Sequence, residues 1–428
     1  MIVVCEPQCK GLSHEKVNSG FLTALRLAYP SEQIVLYADP SHIDALRSVL
    51  ANDGVHLSGI EYRSFPAVEG YSFRGMWANY RAFQSLFTEI AKLGISKVFF
   101  LSFSPSILHV IKRLKMRREF TAFRFSFVLH GDFENVAGPS TLAATTTTTV
   151  HEPLARKLRS IELRKLPART IRFLRDQLKY HYDRNHQALF GHLFTTKAQL
   201  LWRHSADYKY IALSPHIIRN VTQYLDPIAL NICVVSMPIN FAPVLPAPRN
   251  DKIVFATFGY GDVPALLALA DRLSKLTLKR DYEVRIIGLG HRAFAAYPKF
   301  VTFSHDRALT RAEMEHHARD VDAFLILYDH NRYRLSCSGS ILEALSYCKP
   351  VLHLPNDCID EFDRSTAPIG FRCDDLPALA TKMKSLIDSY PDDTSELDLR
   401  RQNVLRLREQ LAIPQLLTQL RDSFTFDD

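Results

Sequence analysis

A chain of 428 residues with 47% hydrophobic and 23% charged side chains is too apolar to be disordered, and single cores rarely grow beyond about 250–300 residues, so two domains are expected. The net charge of +8 favours an anionic partner and leaves nucleic acid, an acidic lipid surface and a nucleotide-sugar as candidates. No apolar run approaches the ~18 residues of a membrane span, and Met1-Ile2-Val3-Val4-Cys5-Glu6 lacks the basic segment of a secretion signal and reads as a first strand.

The first half alternates apolar runs of strand length over 2–5, 33–37, 97–101, 124–129 and 210–213 with helical patterns over 20–28, 42–50 and 77–92. Such alternation predicts a parallel sheet covered on both faces. A proline-rich passage from Pro238 to Pro248 interrupts regular structure and reads as an interdomain linker. Beyond it a strand over 252–257 runs into Phe258-Gly259-Tyr260-Gly261-Asp262, and a helix over 264–276 carries Pro264 at its favourable first position. Strands over 283–287 and 301–303, a helix over 311–318 and a strand over 323–328 follow. A helix over 340–347 stops at Lys349-Pro350 ahead of another buried strand, and 396–420 is helical. The expected fold class is α/β, with two Rossmann-like domains, 1–242 and 251–395, facing a cleft and joined by 243–250. Residues 396–428 form a C-terminal helix for which a return onto the first domain is one option.

Residues 139–192 break the pattern and read as an insert. They contain the threonine tract 145–149, and 156–184 holds ten Lys/Arg against three Asp/Glu with Leu, Ile and Phe between them. Such a basic amphipathic helix can lie on an anionic membrane surface or cover the first sheet as a solvated face. The cluster Lys112-Arg113-Leu114-Lys115-Met116-Arg117-Arg118 favours the membrane reading. No zinc-finger or RNA-binding signature is present, which sets nucleic acid aside.

The most informative stretch is Ser336-Cys337-Ser338-Gly339-Ser340-Ile341-Leu342-Glu343, a small-residue turn that opens a helix between two apolar strands. The first N–H groups of such a helix lack partners and sit at the positive end of its dipole, an arrangement that attracts phosphate. Together with the glycines of the 258–262 loop, this word order resembles the donor-binding motif of two-domain (GT-B) glycosyltransferases, especially the GT4-like group with its bacterial capsule and exopolysaccharide transferases. The resemblance runs from Phe258 to about Pro355 and is looser before it. It implies GT-B architecture, with an acceptor domain first and a nucleotide-sugar donor domain second. It also implies transfer of a hexosyl group to a glycan or lipid-linked acceptor without cofactor or metal.

Residue by residue, the resemblance places Gly259 and Gly261 near the donor phosphates, although Asp262 stands where a basic residue is common. A helix end contributes only about 0.3–2 kcal/mol per charge, so an arginine is needed as well. Arg332 or Arg334 is expected to grip phosphate oxygens beside Ser338, Gly339 and Ser340, the alternative being a plain surface loop. Glu343 matches the second glutamate of the family's E-x7-E motif, which binds the donor ribose, while Leu335 replaces the first. Ser340 and Glu343 also fit a helix capping box. In the first half, the strand over 124–129 ends at His130-Gly131-Asp132-Phe133-Glu134, where groups facing the cleft collect. Asp132 or Glu134 is expected as general base in an inverting reaction, and His130 as a donor-positioning group in a retaining one; an ordinary turn is the alternative. The loop 10–20 supplies His14, Glu15 and Asn18 as acceptor contacts, or simply a helix start.

Two signals are discounted. Asp320-Val321-Asp322 precedes a strand rather than following one and reads as a turn, and Gly288-Leu289-Gly290 lacks the third glycine of a dinucleotide loop. The seven cysteines are odd in number and contain no CxxC, which argues against a disulfide frame and for the cytoplasm, with peripheral contact at the inner membrane face as an option. A nucleotide-sugar 2-epimerase and a non-catalytic GT-B scaffold in polysaccharide assembly are the alternative functions.

Overall fold

The computed structural model describes residues 1–66, 73–136, 195–241, 244, 251–259, 262–307, 309–363 and 366–426. The first sheet comprises β1 (Ile2–Glu6), β2 (Ile34–Ala38), β3 (Ile60–Ser64), β4 (Lys97–Phe100), β5 (Arg124–Leu129), β6 (Tyr208–Ala212) and β7 (Ile232–Val234), in the order β3-β2-β1-β4-β5-β6-β7. The second comprises β8 (Ile253–Phe258), β9 (Tyr282–Ile287), β10 (Phe300–Thr302), β11 (Ala323–Ile326), β12 (Val351–His353) and β13 (Gly370–Arg372), in the order β10-β9-β8-β11-β12-β13. Neighbours pair in parallel in both sheets. The expected α/β class with two parallel-sheet domains is what the chain adopts.

Central strands such as β1, β2 and β8 are buried along their whole length, so they are apolar throughout instead of alternating. The edge strands differ: β3 is Ile60-Glu61-Tyr62-Arg63-Ser64, half exposed, and β13 has three residues. In each sheet the chain order reverses beside the first strand, between β1 and β4 and between β8 and β11. Such reversals leave a crevice at the carboxyl ends of the strands.

The helices of the first domain are α1 (Glu15–Ala28), α2 (Pro40–Asn52), α3 (Phe73–Lys92), α4 (Pro105–Lys115), α5 (Thr196–Leu201) and α6 (Pro215–Val221). Pro40 and Pro105 open α2 and α4, whose first turns are capped by Asp39 and Ser104. Helix α1 begins at Glu15, five residues before the expected start, because His14 takes a left-handed conformation (φ 54°) that ends the preceding loop. Gly20 lies inside α1, and a Cβ there would stand 2.1 Å from the Pro238 carbonyl oxygen, so this helix packs on the chain leaving the domain.

The second domain carries α7 (Val263–Ser274), α8 (Arg311–Ala318), α9 (Gly339–Ser346), α10 (Asp357–Asp360) and α11 (Leu376–Ser389). The expected single C-terminal helix is two, α12 (Ser395–Leu411) and α13 (Ile413–Phe424), divided where Ala412 turns extended ahead of Pro414. Helix α13 lies on α1 of the first domain. There Phe424 meets Tyr29 and Phe99 edge-on, Ser126 donates its hydroxyl to the Ser423 carbonyl at 2.7 Å, and Arg421 donates to the Ala28 carbonyl.

Two of the basic residues in the 112–118 cluster turn inward. Lys112 is buried, and its ammonium donates to the carbonyls of Gln199, Leu200 and Trp202 at 2.7–3.0 Å, closing the end of α5. Lys115 turns inward to Thr121, Phe123 and Asp207. The basic insert 139–192 lies outside the described residues, as does the linker 243–250 apart from Val244. No helix among the described residues is long and apolar enough to cross a membrane.

Candidate active site

The second domain shapes its side of the cleft with backbone. Gly259, at the end of β8, has φ +72°, and its N–H donates to the Ile287 carbonyl at 3.1 Å. A Cβ on Gly288 would stand 2.1 Å from the Gly259 carbonyl oxygen, so the two glycines pack main chain to main chain. Position 259 faces the first turn of α9, where an added Cβ would meet the Ser340 hydroxyl at 3.9 Å. Gly261 lies outside the described residues. Asp262 turns its carboxylate onto its own helix, accepting the Ala265 N–H at 3.0 Å, so it caps α7.

Ser338 is the residue before α9 but does not cap it; its buried hydroxyl pairs with the Tyr328 phenol at 2.9 Å. The first turn, from Gly339, therefore lacks a side-chain cap, and Gly339 is exposed. Burial, with Tyr333 nearby, pushes the Tyr328 phenol up to about 12. Glu343 closes no capping box on Ser340: the helix starts one residue earlier, and the carboxylate is drawn to Arg311 at the head of α8. The same guanidinium binds Glu315 at 2.7 Å. Burial would lower the pKa of Arg311, but Glu343 and Tyr347 outweigh it and hold the charge in place. Arg332 is exposed and lays its guanidinium over the rings of Tyr328 and Tyr333, at 5.2 and 5.5 Å, while Arg334 is half-buried. Neither arginine has an ion-pair partner among the described residues. Leu335 is buried.

The first domain shapes its side with side chains. Glu6 closes β1 fully buried, accepting the N–H groups of Gln8 and Cys9 at 2.9 and 3.0 Å, the Asn18 amide at 3.0 Å and the Ser102 hydroxyl. The Asn18 amide nitrogen also lies 3.0 Å from His42 Nε2, and His42 Nδ1 lies 2.9 Å from the Gly11 carbonyl. A carbonyl only accepts, so His42 carries its hydrogen on Nδ1 and accepts from Asn18 on Nε2. Asn18, expected at the acceptor, is instead buried and holds Glu6. His14 packs its ring 4.4 Å from that of His130. His130 Nε2 donates to the Leu101 carbonyl at 2.7 Å, leaving Nδ1 as an acceptor. Burial, then the neighbouring His14, pushes His130 down to about 4, so its imidazole is neutral at pH 7. Burial pushes Asp132 up to about 7, with Glu6 adding to the rise against hydrogen bonds from the backbone of Asp132 and His130.

The two sides meet. One carboxylate oxygen of Glu134 accepts the Leu335 N–H at 3.0 Å and the Ser336 hydroxyl at 2.7 Å, both from the second domain. Glu15, raised by burial, senses Glu343 and Arg311 across the cleft. The structure thus brings His14, Glu15, His130, Asp132 and Glu134 into one region with the start of α9 and Glu343. Sequence reasoning assigned nothing to Glu6, His42 or Arg311. Glu6 had a signal, a charge closing an apolar strand; Arg311 had none, since Glu343 lies 32 residues away.

The discounted motifs have structural uses. Asp320 pairs with Arg285, and Asp322 accepts the Val254 N–H at 2.9 Å, anchoring β8. Gly290 is hemmed in by Thr302 and the Ser304 carbonyl.

No family model matches the chain, and no curated protein matches its sequence. Solved structures do. A glycosyltransferase from Rickettsia africae superposes with TM-score 0.56 at 13% identity, covering 99% of this chain and 97% of that one. The lipopolysaccharide outer core galactosyltransferase WaaB in its apo form gives 0.55 at 12% identity, over 99% and 98%. UGT73P12 of Glycyrrhiza uralensis, complexed with glycyrrhetinic acid 3-O-monoglucuronide, gives 0.50 at 11% identity, over 99% and 96%. At these identities the likeness is one of fold: the chain has the GT-B architecture of these glycosyltransferases, two parallel-sheet α/β domains of seven and six strands.

Proposed function

We propose that this protein is a metal-independent glycosyltransferase of GT4-like type, moving a hexosyl group from a nucleotide-sugar to a glycan or lipid-linked acceptor. One observation carries the reading: an uncapped helix start beside a left-handed glycine stands in one cleft with a neutral histidine and a carboxyl group whose pKa is about 7. The donor diphosphate binds the first-turn amides of α9 beside Gly259 and Ser340, with Arg332 or Arg334 adding charge. Arg311 occupies one oxygen of Glu343, and the other takes the ribose hydroxyls. His130 accepts a sugar hydroxyl on Nδ1. Asp132 takes the acceptor hydroxyl proton as the glycosidic bond forms and the nucleoside diphosphate departs; a carboxylate that titrates near the working pH suits this role. His14 and Glu15 line the acceptor side. The net charge of +8 supports an acceptor held at the anionic inner face of the membrane, in the cytoplasm.

A thermal-shift titration with UDP, GDP, CDP, dTDP and CMP, with and without EDTA, tests this. A ligand at a hundredfold over its dissociation constant stabilises by about 2.7 kcal/mol. One selective shift, unchanged by EDTA, is the expected result. Donor turnover without acceptor would instead indicate an epimerase, and no shift with any nucleotide would indicate a scaffold, to which the buried Leu335 at the first E-x7-E position lends weight.

A further inference from the structure

The segment 333–336, just ahead of α9, is held from the opposite domain. Glu134 accepts the Leu335 N–H and the Ser336 hydroxyl on one oxygen, at 3.0 and 2.7 Å. His216, near the start of α6, lies with Nε2 at 3.0 Å from the carbonyls of both Tyr333 and Ser336, so that nitrogen carries the hydrogen and donates to both. Its Nδ1 pairs with the Ser214 hydroxyl at 2.8 Å, and the ring is fully buried, so its orientation is fixed at both nitrogens. Asn220 donates from Nδ2 to the Arg334 carbonyl at 2.9 Å and to Asp357 at 2.7 Å. Polar groups of four consecutive residues are thus satisfied across the interface. Tyr333 has φ +57°, a conformation that a non-glycine residue keeps only where its surroundings fix it.

We propose that Glu134, His216 and Asn220 form an interdomain clamp that shapes the turn leading into α9, so that the donor site is complete only while the two domains are engaged. Glu134 is then a positioning residue: it bridges the turn after β5, which carries Asp132, to the loop that starts α9. A hinge rotation that opens the cleft must break its two charge-assisted bonds, and the 333–336 segment then loses the partners that hold Tyr333 left-handed. The identity of the ligand rests on the donor-site reading above; the clamp itself does not.

Small-angle scattering from the full-length protein, paired with calorimetric titration of the nucleoside diphosphate that shifts the wild type, separates the two ideas. E134A should yield a more extended distance distribution without ligand and bind the diphosphate about tenfold more weakly, whereas E134Q, which keeps the accepting oxygen, should scatter like the wild type and bind within about threefold. A general base would instead leave both scattering and diphosphate affinity unchanged in both variants. Should E134A fail to fold, N220A removes two interdomain contacts and S336A one, and each should open the distribution by a smaller amount. Wild-type scattering from E134A, or from N220A and S336A, overturns the clamp, as does E134Q opening as far as E134A. If no nucleotide binds the wild type, the donor reading fails while scattering still decides the clamp.

Discussion

The two faces of the cleft do their work with different parts of the polypeptide. On the first-domain face the polar groups are side chains, bonded to one another below the surface: Glu6 gathers Asn18, Ser102 and two backbone N–H groups, and His14 packs on His130. On the second-domain face they are mostly main chain: the left-handed Gly259, its partner Gly288 and the uncapped start of α9, with Glu343 and Arg311 as the charged exceptions. The division follows from the chemistry. Moving a proton needs groups whose affinity for it is tuned by burial and neighbours; holding an anion needs donors fixed in space, which backbone provides at no rotamer cost.

Single substitutions test that contrast. D132N removes the tuned base, so turnover should fall by about 10²–10⁴-fold with donor affinity little changed, as steady-state kinetics would reveal. E343A should do the opposite, weakening nucleotide affinity by roughly 10–100-fold in calorimetry, because it removes a carboxylate and leaves the half-buried Arg311 with Glu315 alone. A methyl group at position 288 would collide with the Gly259 carbonyl, so G288A should cost about 1–3 kcal/mol in denaturant unfolding and abolish the nucleotide-induced thermal shift. If G288A retained that shift, the main-chain cradle would not be the donor site.

The smallest effect concerns pH. Asp132 binds its proton more tightly folded than unfolded, so its contribution to stability is present below the unfolded carboxylate pKa and is lost as pH rises through about 7. D132N should therefore melt a few degrees above the wild type at pH 8, by less at pH 5, and not at all below the unfolded carboxylate pKa. His130 has the opposite sign: its folded pKa near 4 lies below the unfolded value, so its contribution falls as pH drops from the unfolded pKa toward 4. An equal D132N difference at both pH values would show that Asp132 is not proton-tuned.

The parallel-sheet core was legible because strands covered on both faces cannot alternate, and β1, β5 and β8 stand out as apolar runs between helical periods. The strands that escaped reading are β3, β7 and β13, at or near the edges: half-exposed Ile60-Glu61-Tyr62-Arg63-Ser64 carries too few apolar residues, and Gly370-Phe371-Arg372 is too short. The break at Ala412 was missed because the helical period continues on either side of Pro414. At the site, the 130–134 turn follows β5 directly, as expected, and α9 begins at Gly339, one residue before its expected start, after the loop that leaves β11. The partners of those residues were not legible. That Lys112 is a buried cap rather than a surface charge, or that Glu343 meets Arg311, depends on contacts between segments far apart in the chain, which no local pattern records.

Helix α13 lies against α1 and fills part of the wall of the first domain, although it is translated after the whole of the second. A ribosome therefore cannot release a finished first domain on its way along the message. Until Leu420 and Phe424 emerge, the pocket they fill beside Phe99 and Tyr29 stays open to water, and the nascent amino-terminal half carries an uncovered apolar seam. Vectorial synthesis, which usually lets domains mature one at a time, here defers the completion of the first half to the arrival of the last helix.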